Sequence, residues 1–100
     1  MRLKQRDEFW NDLREITLWY EASDFEVSER FLAEIRASIE QILKHPLAWP
    51  VYRGDIRKYL VQEFPFIIFY MATEDTVTAL AVVHASRRPG FWMERLKNES

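Results

Sequence analysis

Apolar residues recur every three or four positions through the first half of the chain and every second position through most of the second half. Phe9, Leu13, Ile16 and Tyr20 share one face of a helix predicted over 7–22. Asp7 and Glu8 fall in its first turn, where carboxylates complement the helix dipole. Trp10, Leu18 and Trp19 lie off that stripe; we read them as a broad core face, with a docking surface as the alternative. Ser23 and Glu26 form a capping-box pattern at the start of a second helix that runs to about Lys44. Its apolar stripe is Val27, Phe31, Ile35, Ile39 and Ile42, and Pro46 stops it. So short a link between two amphipathic helices predicts an antiparallel hairpin.

Residues 45–55 hold two prolines and a glycine and read as a long loop, with Leu47, Trp49, Val51 and Tyr52 folding back onto the body. The period then changes. Ile56, Lys58, Leu60, Gln62 and Phe64 fall on one face of a strand, and Arg57, Tyr59, Val61 and Glu63 on the other. Pro65 marks a turn. Phe66 to Ala72 is apolar on both faces and reads as a central strand. Thr73 to Thr76 is a hairpin loop, and Val77 to Ala85 a further strand with Leu80, Val82 and His84 on one side. Arg2–Gln5 reads as an additional edge strand. The expected fold is therefore α+β: one domain over 1–100, with a helical hairpin packed on a three- to four-stranded antiparallel sheet.

Composition and charge narrow the function. One hundred residues with 48% hydrophobic and 15% aromatic content suit one packed globule rather than a disordered chain. Cysteine is absent, so disulfides and thiolate metal sites are excluded and a reducing cytoplasm is the expected location. No apolar run has the length of a membrane helix, and the charged N-terminus does not read as a secretory signal. Net charge is −2 but uneven: residues 7–44 carry ten acidic and four basic side chains, whereas 84–97 carry four basic and one acidic. Such a chain is not a typical nucleic-acid binder, and an anionic partner would have to meet a local patch.

Nucleotide-binding, metalloprotease and nucleophile-elbow motifs are missing. The two histidines are far apart, no cluster has metal-ligand spacing, and neither metal nor cofactor is expected. The chemistry-bearing segment is His84-Ala85-Ser86-Arg87-Arg88-Pro89-Gly90-Phe91-Trp92-Met93-Glu94-Arg95. A strand-end histidine can move protons, and arginines can grip or stabilise phosphate charge. Arg57 and Tyr59 are candidates for the same site. Equally physical is a structural reading, in which His84 ends a strand by hydrogen bonding and the arginines pair with the acidic helices.

The order of elements resembles the RelE/ParE superfamily of toxins from type II toxin–antitoxin systems. The residues that carry the resemblance are Trp19-Tyr20-Glu21, Arg30-Phe31-Leu32, Pro46 and Pro50, Ile56-Arg57, Phe64-Pro65-Phe66, and the ending Ala81-Val82-Val83-His84 through Arg87, Pro89 and Trp92. The helical hairpin and the ending His-x-x-Arg-x-Pro-x-x-Trp look more like the ParE branch, described as plasmid-stabilisation proteins, and the acidic charge without a lysine-rich tail speaks against a ribosomal nuclease. The resemblance implies a growth-inhibiting toxin that binds a target protein such as DNA gyrase and is held inactive by a small antitoxin. In that case Arg87, Arg88, Trp92 and Arg95 would form a binding patch. The alternative is a metal-independent mRNA endoribonuclease of RelE type working on the ribosome, with Arg57, Tyr59, His84, Arg87 and Arg88 as its candidate catalytic set. A third possibility is a non-toxic member that still binds an antitoxin.

Overall fold

The computed structural model describes residues 1–87; Arg88, Trp92 and Arg95 lie outside them. The elements run β1 (Arg2–Gln5), α1 (Asp7–Ser23), α2 (Phe25–Lys44), β2 (Val51–Arg53), β3 (Ile56–Leu60), β4 (Phe66–Ala72) and β5 (Thr76–His84). The sheet has five strands in the order β1-β5-β4-β3-β2, one or two more than the periodicity suggested. β1 joins β5 in parallel, with Leu3 opposite Val77, and every other pairing is antiparallel.

Helix hairpin and sheet meet in one core. Phe9 and Leu13 of α1, and Phe31, Ile35, Ile39 and Ile42 of α2, pack on Tyr59, Val61, Phe66, Ile68, Tyr70, Val77, Ala79 and Val82. These are the stripe positions of both helices, so the period read from the sequence is the buried face. β4 is the central strand, and its other face buries Phe69 against Ile56, Leu80, Ala81 and Val83. Leu80 belongs to this second cluster and not to the side of Val82 and His84, because a bulge intervenes. Phe69 pairs with Ala81 but Tyr70 with Ala79, so Leu80 is the extra residue and its side chain changes face.

The helix junction differs from the capping box in the sequence. α1 continues through Ser23, and the N-cap of α2 is Asp24, whose extended backbone lets Oδ1 accept the Glu26 N–H at 2.9 Å. The segment 45–55 is not all loop, since Val51–Arg53 forms β2 and turns into β3 through Gly54. Gly54 has φ of +56°, which favours a residue without Cβ.

β3 ends at Leu60, earlier than the alternation suggested. Val61 N–H still donates to Phe66 O at 2.9 Å, but Glu63 takes φ of +65° to close the turn before Pro65. A left-handed non-glycine residue costs about 1 kcal/mol or more. Glu63→Gly relieves that strain at the expense of unfolded-chain entropy. Its unfolding free energy, read from urea denaturation, is therefore expected to equal that of the parent or exceed it by up to about 1 kcal/mol.

Candidate functional site

β5 ends beside the C-terminal half of α1, and the two elements frame a cleft. Its volume is about 620 Å³, with Glu15, Ile16 and Trp19 on the helical wall and Phe66, His84 and Arg87 on the sheet wall. Local hydrogen bonds fix the sheet wall. Ala85 N–H donates to Pro65 O at 2.8 Å, and Arg87 N–H to His84 O at 3.0 Å, which winds the chain into a turn just after β5. Inside that turn His84 Nδ1 accepts the Ser86 N–H at 3.1 Å and meets Ser86 Oγ at 2.7 Å. With Nδ1 accepting, the neutral imidazole carries its proton on Nε2. The ring stands edge-on to Phe66, 5.2 Å between centroids, so the exposed His84 is oriented on both sides.

The helical wall is anchored by Asp12. Where β1 gives way to α1, the edge of β5 loses its strand partner, and Asp12 Oδ2 accepts the Val82 N–H at 3.0 Å. Asp12 falls one turn from Phe9 and Ile16, inside the apolar stripe. A carboxylate at such a position is a sequence signal for a polar contact within a packed face, and it was readable. Tyr20 backs the cleft, and burial pushes its phenol up, so the hydroxyl stays protonated as a donor. Tyr20 also stacks in a tilted or edge-on fashion on Phe31, Phe64 and Phe66, with centroids 5.5 to 6.4 Å apart. Chemically the cleft is mixed, lined by the cation of Arg87 and the imidazole of His84 together with the carboxylates of Asp12 and Glu15.

The predicted site residues that are described divide into two groups. His84 and Arg87 share this cleft. Arg57 and Tyr59 lie two strands away on β3, opposite Tyr70 and Ile68. Tyr59 is buried on the helix side of the sheet, edge-on to Trp49 at 4.7 Å. Arg57 Nη1 donates to the carbonyls of Trp49 at 2.7 Å and Leu47 at 3.2 Å, and so holds the segment after α2 against the sheet. Arg88, Trp92 and Arg95 fall outside the described residues.

A second apolar feature lies on α1. Trp10, Leu18 and Trp19 are 50%, 57% and 69% exposed, so the broad-core reading of these residues is corrected. The core stripe of α1 is satisfied by Phe9 and Leu13, and the off-stripe residues point outward. Trp10 and Leu18, with Leu32 of α2, line a groove of about 410 Å³. Three large exposed apolar side chains on one helix mark a surface suited to another macromolecule. Among the described residues no cluster of His, Asp and Glu has the arrangement to hold a metal ion, and no helix is long and apolar enough to cross a membrane.

A family model, the ParE toxin of type II toxin-antitoxin system, parDE, matches residues 3–89 of this chain. No curated protein matches its sequence. Among solved structures, the chromosomal ParDE TA system from P. aeruginosa superposes with a TM-score of 0.69 at 17% identity, covering 86% of this chain and 97% of that one. At that identity the likeness is one of fold.

Proposed function

Because the chain belongs to the ParE toxin family of type II toxin–antitoxin systems, we infer that it is the toxin of such a pair, inhibiting growth by binding a target protein. The family match over residues 3–89 carries this reading. DNA gyrase is the first candidate target, and a small antitoxin is the partner that holds the toxin inactive in the cytoplasm. Two physical features support recognition of a protein. The exposed Trp10, Leu18 and Trp19 offer apolar contact area of the kind that anchors interfaces. The mixed charge of the His84–Arg87 cleft suits polar side chains better than a polyphosphate backbone. Arg87 brings a cation to that cleft, and the proposed binding patch joins it to Arg88, Trp92 and Arg95, which follow it in sequence.

The endoribonuclease reading is favoured by one arrangement, the oriented His84–Ser86 pair beside Arg87. It would use His84 and Arg87 without Arg57 and Tyr59, whose side chains support the fold.

Induced expression in a growing bacterium, with and without the adjacent antitoxin gene, tests the toxin reading. Growth arrest relieved by co-expression is the expected result, and folded protein that leaves growth unchanged would sink it. A gyrase supercoiling assay run beside an mRNA cleavage assay then separates the readings. Inhibited supercoiling with intact message is expected. Cleavage that disappears in His84→Ala would transfer the assignment to the nuclease.

A further inference from the structure

The outer edge of the sheet is only half covered. β2 pairs with the start of β3, Val51 opposite Arg57, and the cover ends where Lys58 N–H donates to Pro50 O at 3.0 Å. Before Pro50 the chain turns away into the segment held by Arg57. Alternate residues of an antiparallel strand direct their backbone groups to alternate edges. Val61 N–H faces inward to Phe66 O, and Lys58 N–H faces outward. Leu60, two residues beyond Lys58, therefore faces its N–H and C=O outward as well. Neither group has a backbone partner among the described residues. The Leu60 side chain is 60% exposed.

A pocket of about 340 Å³ lies along this open stretch. Trp49 and Tyr59 wall it on the helix side of the sheet, and Lys58, Leu60 and Ile67 on the opposite side. Walls on both faces, with unmatched backbone groups between them, are the surroundings of a missing strand, whose side chains alternate to the two faces. The lining carries one charge, the ammonium of Lys58, and no carboxylate. Lys58 has no ion-pair partner among the described residues.

We propose that this edge of β3 accepts a short extended segment of a partner protein, apolar in alternate positions and carrying a carboxylate for Lys58. The segment hydrogen-bonds Leu60, continues the line of β2, and seats an apolar side chain against Leu60 and Ile67. Strand addition of this kind draws affinity from main-chain bonds and specificity from the flanking pockets. A docked helix would leave the Leu60 groups unpaired. A second copy of this chain would have to pair across a stretch too short to bury the roughly 1,200 Å² of a stable dimer. The inference does not depend on the toxin reading, because it follows from the edge alone.

Selection of phage-displayed octapeptides on the intact protein provides the test. Enriched peptides should alternate apolar residues and include Asp or Glu. Their affinity should fall about tenfold or more on Leu60→Pro, which deletes the outward N–H, and on Lys58→Glu, which inverts the charge. Binding should also protect the Leu60 amide from hydrogen exchange. Leu60→Pro breaks no ladder bond, so its melting temperature should stay near that of the parent. If it unfolds nonetheless, Lys58→Glu and the Leu60 amide decide. No enrichment over an unrelated protein, enriched peptides of amphipathic helical pattern, or equal binding by Lys58→Glu with an unprotected Leu60 amide would overturn the proposal.

Discussion

Replacing Phe31 by alanine is expected to lower the unfolding free energy by about 3–5 kcal/mol. Phe31 is fully buried in the N-terminal half of α2 and lies 5.4 to 5.5 Å from the rings of Tyr20, Phe64 and Phe66. These rings come from α1, from the turn before β4 and from β4, so a single truncation unpacks the hairpin from the sheet. Edge-on and tilted aromatic pairs add about 0.5–1.5 kcal/mol each beyond buried area, and the hole left by a phenyl ring does not close fully. A domain of this size has about 5–15 kcal/mol in total, so much of the reserve disappears. Urea denaturation followed by tryptophan fluorescence measures the change. A loss below about 1 kcal/mol would mean that the aromatic cluster is not the centre of the core. The consequence reaches the cleft, because Tyr20 and Phe66 both line it. Phe31→Ala should weaken partner binding without touching the partner.

Phe31 also shows why most of the fold was readable. The stripe through Val27, Phe31, Ile35, Ile39 and Ile42 has one period over about four turns, and no other element satisfies it. The two-sided apolar run of β4 was similarly unambiguous, since only a central strand buries both faces. β2 was not readable, because a three-residue strand between Pro50 and Gly54 has no period to measure. Ser23 and Asp24 are both good cap residues, and only the backbone decides between them. The face of Leu80 was misassigned because a bulge leaves no mark in an alternating run of small apolar residues.

The cleft was legible only in part. His84 and Arg87 stand in a run that draws the eye, and they do share one site. Glu15, Ile16 and Trp19 face them from α1, but nothing local in the sequence says which side of a helix meets the end of a strand more than 60 residues later. Arg57 and Tyr59 read as candidates for the site of His84, and all three lie on one face of the sheet. The same face, however, also carries the helices. A face shared with a core holds side chains for support, and the two β3 residues are used in that way.

Arg57 is therefore expected to matter through stability, with Arg57→Ala losing about 2–3 kcal/mol. The substitution removes a charged donor from two carbonyls and leaves the Trp49 carbonyl in a partly buried position without it. Tyr70, directly opposite Arg57 on β4, performs the same task with its hydroxyl, which donates to Pro46 O at 2.7 Å. Tyr70→Phe should lose about 1–2 kcal/mol. Because both donors pin one short segment, the double variant should lose less than the sum, which a double-mutant cycle reads directly. Tyr70 adds a pH signature. Burial pushes its phenol up to about 12 from an ordinary 10.0, with the Arg57 charge pulling weakly the other way. The folded state thus holds that proton more tightly than the unfolded chain. Its contribution is complete below about pH 10 and is lost as pH rises toward 12. Denaturant melts between pH 9 and 12 should show stability falling in the parent and falling less steeply in Tyr70→Phe. An equal slope in both would assign the alkaline loss to other groups. For function the comparison with His84 is decisive. His84 is exposed, and His84→Ala should change stability by less than about 1 kcal/mol. If Arg57→Ala abolishes growth inhibition only at temperatures where it unfolds, while His84→Ala abolishes it when fully folded, the working surface is the cleft beside α1 and β3 is its support.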